Sequence, residues 1–372
     1  MNNDNETQAR QAKNTDNQPD KVKKQSKARD RSGFSRSLRI PRGALPLIDT
    51  HYVERDADRV LQRQITRTRG TTTTIRGPRQ SGKSSLLIRG LEQARQAGSA
   101  AVFINLEPID NTYLEDGNRF FLYFADAILH ELGLDQDRVQ QYWHAATDPT
   151  TKITRLMEEY VLKEIASNVI LAVDEAERAW GSPISDGFFG LLRHWDGLRA
   201  AKDLIWSKLS VLVVISTEPH LVIRNVYQSP FNIGSSIELD DFTEAQVHDL
   251  HVRYGMPLGA EELGELFQLL GGHPYLSSIA LYLVVAEEMT WGQIQYTAPA
   301  DRGPFKDHLR LYWRLLRDQP ELVEELKNVL QHQRCSEAAY YRLSRAGLVK
   351  GDDESACMFR CKLYEDYFRR KL

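Results

Sequence analysis

The chain is 372 residues long, enough for two or three domains, and 41% hydrophobic, enough to build sizeable cores. Its formal net charge of −3 is unevenly spread: residues 1–43 carry eleven Lys/Arg against five Asp/Glu, a net of +6, so the remainder carries −9. Cys335, Cys357 and Cys361 are the only cysteines, an odd set without a Cys-x-x-Cys pair, which argues against a disulfide framework or zinc site and for a reducing compartment. No apolar run approaches the ~18 residues needed to cross a bilayer and the polar N-terminus is no secretory signal, so a soluble, cytoplasmic protein without membrane contact is expected.

Residues 1–37 are rich in Asn, Gln, Lys, Arg, Asp and Ser, and a disordered basic tail is expected there. A basic tail on an acidic body fits a polyanionic partner, nucleic acid or an acidic protein surface. A purely solubilising role fits as well, because interleaved aromatics are lacking. Pro41, Gly43 and Pro46 mark an extended lead-in, and residues 52–64 read as a short helix. Residues 71–76 read as a strand, 83–97 as a helix with Leu86, Leu87 and Leu91 inward, and 100–106 as a strand. Two or three helices are expected between Asn118 and Ile165, divided by Gly133 and Asp148-Pro149. The continuous apolar runs 169–173 and 211–215 have the character of strands buried on both faces. Residues 187–200 between them read as a helix, and 236–239 as a short last strand. Alternating strands and helices predict a parallel sheet covered on both faces, an α/β fold. After Asp241 the strands stop. Residues 243–254, 259–270 and 274–289 read as three helices, the first opened by a Thr243…Gln246 capping pattern. A linker over 291–303 leads to a small, mostly helical unit over 304–372.

Four motifs carry chemistry. Gly77-Pro78-Arg79-Gln80-Ser81-Gly82-Lys83-Ser84 follows a strand and opens a helix, as a P-loop must. Gly77 and Gly82 let the chain wrap so that the amides of Gln80, Ser81, Gly82 and Ser85, with the helix N-terminus, form a nest for phosphates. Lys83 would reach the β- and γ-phosphates and Ser84 would ligate Mg²⁺. About 90 residues on, the apolar strand ending in Asp174-Glu175 has the Walker B arrangement. Asp174 would hold the Mg²⁺ shell and Glu175 would orient or deprotonate the attacking water; Glu177 and Arg178 read as solvated or locally ion-paired. The third motif, Ser216-Thr217-Glu218, ends a strand. Thr217 or Ser216 could sense the γ-phosphate, or cap a helix that begins at Pro219. The fourth, Gly271-Gly272-His273-Pro274-Tyr275-Leu276, reads as a turn between helices. Its functional alternative puts His273 and Pro274 over the nucleotide.

Taken together, Ile40-Pro41-Arg42-Gly43-Ala44-Leu45-Pro46 with Tyr52-Val53-Glu54-Arg55, the 76–80 stretch, Ser216-Thr217-Glu218-Pro219, Ser229-Pro230-Phe231-Asn232-Ile233-Gly234 and the Gly-Gly-His-Pro-Tyr-Leu element resemble the AAA-like domains abundant in cyanobacteria and other bacteria with complex signalling. These are similar to the STAND class of signal-transduction ATPases. The resemblance implies a P-loop NTPase core (38–241) with a five-stranded parallel sheet of order 5-1-4-3-2, a helical lid (242–290) and a winged-helix-like C-terminal domain (304–372). It places Tyr52 and Val53 near the adenine. It also implies that 345–349 and 363–368 belong to the winged-helix tail. Unlike AAA+ machines, residues 274–289 carry no arginine to face the γ-phosphate. Arg224 and Arg193 are placed like trans-acting arginine fingers, the alternative being surface or ion-paired arginines.

Two functions follow. One is a slow, regulatory ATPase switch using ATP and Mg²⁺ that signals to a partner protein, with nucleotide-dependent homo-oligomerisation in view. The other is a DNA-associated AAA+ regulator of the transposition or replication type, holding nucleic acid through residues 1–43 and the winged helix.

Overall fold

A computed structural model describes residues 38–67, 70–144, 147–200, 204–217 and 234–372. The expected tail and the whole of residues 218–233, with Arg224 among them, lie outside the described residues.

Five strands, β1 (Thr72–Gly77), β2 (Ala100–Asn105), β3 (Val169–Asp174), β4 (Leu209–Ser216) and β5 (Ser235–Glu238), form one parallel sheet of order β2-β3-β4-β1-β5. This is the expected 5-1-4-3-2 order read from the other edge. The apolar runs alternate strictly between two cores, as a pleated strand must. Val169, Leu171 and Val173 face one side with Val211, Val213 and Ile215, while Ile170 and Ala172 face the other with Leu212, Val214 and Ile75. Both faces are covered, so neither needs polar residues.

Helices α1 (Asp56–Arg67) and α2 (Lys83–Gln96) cover the second face, burying Leu61, Ile65, Leu86, Leu87 and Leu91. The first face is covered by α3 (Asn111–Leu114), α4 (Gly117–Glu131), α5 (Arg138–Trp143) and α6 (Pro149–Leu156), which runs through a π-turn (Met157–Val161) into α7 (Leu162–Glu164), and by α8 (Ser185–Ala200). This layer has more pieces than the two or three helices expected. Asp110, Asp116 and Asp148 each accept a backbone N–H at a helix start and so open separate elements.

Past the sheet come α9 (Glu244–Arg253), α10 (Ala260–Leu270), α11 (Pro274–Val285) and α12 (Trp291–Thr297). Thr243 and Gln246 form the expected capping box. The expected linker over 291–303 is therefore corrected: it contains α12. Thr290 and Gln293 make a second capping box, Trp291 and Ile294 are buried, and Trp291 Nε1 donates to Glu265 at 2.7 Å. Then follow α13 (Lys306–Leu316), α14 (Pro320–Leu330), α15 (Glu337–Arg345), an antiparallel hairpin of β6 (Val349–Lys350) and β7 (Met358–Phe359), and α16 (Lys362–Lys371). Residues from α9 to α16 bury one shared apolar cluster, which Val53 of the lead-in joins. Among the described residues no helix is long and apolar enough to cross a membrane.

The turn between α10 and α11 is fixed by glycine. Gly272 has φ +77, and a Cβ there would lie 2.0 Å from the Phe242 carbonyl oxygen. Strain and overlap should make Gly272→Ala cost about 3 kcal/mol. Gly98→Ala, also at positive φ but with nothing within 4 Å, should cost about 1 kcal/mol. Thermal unfolding midpoints of the two variants check this, and equal losses would show that the Phe242 contact does not constrain the turn.

Candidate functional site

The parallel register aligns the C-terminal strand ends: Gly77 pairs with Ser216, and Asn105 with Asp174. In an open α/β sheet the ligand crevice lies at this edge, where the strand order reverses. A cavity of about 610 Å³ occupies it, within the range of small-molecule sites. It is lined by residues 79–85, Asp174, Glu175 and Ser216, by the lead-in at 41–45 and 51–53, and by Pro274 and Tyr275.

Between β1 and α2 the chain wraps tightly. Gln80 at φ +63 and Gly82 at φ +94 are both left-handed, an alternation that turns successive amides inward into an anion nest. Gly82 caps α2 with no side-chain acceptor, leaving that role to a ligand. A Cβ on Gly77 would fall 2.8 Å from Ser81 Oγ, so a side chain there would displace the serine. Lys83 is 6% exposed, and its Nζ donates to the Gly77 and Pro78 carbonyls at 3.0 and 2.9 Å. Its hydrogen bonds go to neutral carbonyls, with Asp174 and Glu177 near enough to be felt electrostatically, and a phosphate would give the ammonium a directly bonded anionic partner.

Strand β3 delivers Asp174, buried, its carboxylate accepting from the Ser84 hydroxyl and from the Glu175 amide at 3.0 Å. Burial raises its pKa, and the Ser84 bond and Lys83 work against that rise. A hydroxyl and a carboxylate facing each other beside a phosphate nest are the hard oxygen donors Mg²⁺ takes, so Ser84 and Asp174 fit that ion. Glu175 has φ +54, a costly conformation for a non-glycine residue that is typical of functional sites. A 3₁₀ turn (Ala176–Ala179) follows. The expectation that Glu177 and Arg178 are solvated or locally paired is corrected here. Burial and the neighbouring Glu175 push the Glu177 carboxyl well above the usual carboxylate range, and it hydrogen-bonds Glu175. Arg178 donates to the Ile109 carbonyl at 2.8 Å and to Asn111 Oδ1 at 3.0 Å, tying the turn to α3.

The other candidates are placed as follows. Ser216 lines the cavity, whereas Thr217, its Oγ1 buried without a partner, lines a smaller hollow of about 240 Å³ between the sheet edge and the C-terminal hairpin. Pro274 lines the cavity. His273 does not; it is 1% exposed and stands edge-on to His308, ring centroids 4.9 Å apart. Tyr52 lines the cavity with its hydroxyl donating to Asp58 at 2.5 Å and Arg89 stacked 3.6 Å over its ring; burial and Asp58 keep the phenol protonated. Ser85 Oγ accepts from the Leu45 amide at 2.9 Å, and Arg89 donates to the Leu45 and Pro46 carbonyls, so the lead-in is fastened to α2. Arg193 is exposed on α8.

Two further residues brace the loop. Arg55, 8% exposed, donates to the Ser81 carbonyl at 2.8 Å and stacks over Phe242. His308 Nδ1 is 2.6 Å from Gln80 Oε1. A lone Arg or His gives no periodic or spacing signal; only Arg55's place in the Tyr-Val-Glu-Arg stretch pointed to it.

A wrapped, lysine-bearing loop at the end of the first strand of this sheet, faced by the buried Asp174 and the adjoining Glu175, defines an AAA-like P-loop ATPase fold. A family model described as "AAA-like domain" matches residues 40–370, and the chain belongs to that family. Among solved structures it is similar to a Walker-type ATPase of Pyrococcus abyssi, at 16% identity and a TM-score of 0.59, covering 88% of this chain and 98% of that one. It is also similar to the Aeropyrum pernix ORC2 protein in ADPNP and ADP complexes, at 12% identity and a TM-score of 0.45, covering 92% and 98%. Among curated proteins none matches in sequence.

The buried Glu177 carboxyl makes stability depend on pH. Folded, it keeps a proton that the unfolded chain releases near its ordinary value of 4.5, so stability falls as pH rises from there through the raised folded value. Glu177→Gln removes that loss. Its thermal midpoint should match wild type at about pH 5 and exceed it at about pH 9. A constant difference across that range would mean that Glu177 is ionised in the fold.

Proposed function

We propose that this chain is an ATP-dependent molecular switch: it binds Mg·ATP in the cavity, hydrolyses it slowly, and reports its state to a partner protein through its C-terminal unit. The observation that carries the reading is that this unit docks against the phosphate loop itself. Gly347, at φ +75 just before β6, approaches so closely that a Cβ would lie 2.4 Å from Pro78. Beside it Arg360 grips Asp241 through two hydrogen bonds, at 2.6 and 2.5 Å, and Arg345 pairs with Glu238 on the edge strand at 2.7 Å. Burial disfavours the Arg360 charge, and Asp241 more than offsets it. A change in the loop is thus felt directly by α15 and the hairpin. In this reading the core (38–241), lid (242–290) and winged-helix-like unit (304–372) are the moving parts, with α12 between the last two.

Within the site Lys83 takes the β- and γ-phosphates, and Gln80, Ser81, Gly82 and Ser85 cradle them. Tyr52, Val53 and Pro274 flank the base. Ser84 and Asp174 hold Mg²⁺, which when bound neutralises charge on the phosphates. Glu175 orients or deprotonates the water, and Ser216, which lines the cavity as Thr217 does not, supports the γ-phosphate end. The lack of an arginine in 274–289 fits a slow regulatory turnover. Arg193, exposed on α8, is the described candidate to act in trans within a nucleotide-dependent homo-oligomer.

Lys83→Ala should abolish Mg·ATP binding measured by isothermal titration, and intact binding would end the proposal. Glu175→Gln should keep binding but slow phosphate release at least about 100-fold; an unchanged rate removes Glu175 from its role.

The net +6 of residues 1–43 favours a second reading, a DNA-associated regulator. Against it, Arg342 and Arg345 of α15 are already paired with Glu321 and Glu238. That reading requires salt-sensitive duplex binding that disappears when residues 1–37 are deleted. ATPase activity indifferent to DNA, with no such binding, leaves the partner-protein switch standing alone.

A further inference from the structure

Gln80 is an unusual choice for its place. It is one of the few non-glycine residues in the left-handed region, at φ +63, and it stands in the turn that makes the phosphate nest. A glycine would adopt that conformation without cost, whereas a residue with a Cβ pays about 1–2 kcal/mol to stay there, so something must hold it. Its side chain leaves the loop and ends on the C-terminal unit: His308 Nδ1, on α13, is 2.6 Å from Gln80 Oε1, and His308 Nε2 is 2.6 Å from the Tyr364 hydroxyl on α16. Because the amide oxygen can only accept, Nδ1 carries the proton, and Nε2 accepts from the Tyr364 O–H. His308 is 3% exposed, and burial, with His273 and Arg360 nearby, keeps it neutral. Tyr364, His308 and Gln80 are therefore one directed chain of hydrogen bonds running from two helices of the last unit into the phosphate loop.

We propose that His308 is a positioning residue of the phosphate loop: through Gln80 it holds the nest in its anion-binding conformation, so that triphosphate affinity depends on the docked C-terminal unit. The inference rests on the P-loop reading and adds to it the residue that makes nucleotide binding conditional. Without the clamp Gln80 relaxes towards ordinary backbone angles, and binding must restore the left-handed turn. A glycine at position 80 would make the nest independent of the clamp.

The test measures the dissociation constant of Mg·ATP by isothermal titration on the full chain. His308→Ala and Gln80→Ala should each weaken binding about ten-fold, the factor that corresponds to a left-handed residue's strain. The double variant should be no weaker than either single one. With Gln80→Gly taken as its own baseline, adding His308→Ala to it should change nothing. A merely structural histidine would instead lower affinity equally in the wild-type and Gln80→Gly backgrounds, or lower only the melting temperature; either result overturns the inference. Should His308→Ala fail to fold, the pair of variants at position 80 carries the test, and Gln80→Ala binding as tightly as Gln80→Gly overturns it. Wild-type protein that does not bind Mg·ATP would sink the P-loop reading and the inference with it, whereas wild-type binding with His308→Ala equally tight sinks the inference alone.

Discussion

Between Gly77 and Lys83 the backbone has to bend back on itself so that amides, not side chains, meet the cavity, and that bend does not sustain itself. It needs left-handed angles at Gln80 and Gly82 and a lysine folded onto the Gly77 and Pro78 carbonyls. Arg55 fastens the Ser81 carbonyl on one side, His308 fastens Gln80 on another, and Gly347 presses against Pro78 on a third. These braces come from the lead-in, α13 and the turn before β6, so the loop is a point on which distant parts of the chain converge. The sheet supplies the platform, because parallel register places Gly77, Asp174 and Ser216 at one edge.

That convergence explains which parts of the molecule were legible in the sequence. The strands were readable because burial on both faces leaves a continuous apolar run, as in β3 and β4. The loop was readable because its backbone geometry demands glycines and a lysine at fixed spacing, and Asp174-Glu175 because an apolar strand ends in two acids. The braces were not. Gln80 and His308 lie 228 positions apart, and a single histidine on a helix carries no spacing that names its partner. Glu177 read as solvated or locally ion-paired because the sequence places it three residues past a strand end, and only the 3₁₀ turn folds its carboxyl back onto Glu175. The helix α12 was taken for linker because its seven residues are too few for periodicity, though Thr290 and Gln293 already wrote its capping box.

The electrostatics of the cavity are finely set. Asp174, Glu175 and Glu177 bring three carboxyls towards one lysine. Three full negative charges in a partly buried space would repel strongly, so a proton is retained on Glu177, where burial and Glu175 favour it, and the Ser84 bond shares in stabilising Asp174. Glu175, which the Glu177 carboxyl hydrogen-bonds, sits in a strained backbone conformation. The turn that follows it is pinned by Arg178 to Ile109 and Asn111, so the Glu175 carboxyl is held by contacts outside the cavity.

Coupling between the loop and the C-terminal unit runs equally in both directions, as any linkage of binding free energies must. If docking of α13 and α16 favours the nest, a ligand in the nest favours docking by the same factor. Its size would be set by what differs between the docked and undocked loop: one part-buried hydrogen bond at Gln80 and one left-handed residue, about 1–3 kcal/mol together. That lies within the usual range of allosteric coupling, about 5- to 150-fold in affinity. The contacts beside it, Arg360 with Asp241 and Arg345 with Glu238, do not touch the loop. In the proposed coupling they would set how much of the unit is docked at all, while Gln80 would set how much the nest gains from it. Separating the two roles lets the resting position of the unit be tuned without altering the phosphate site.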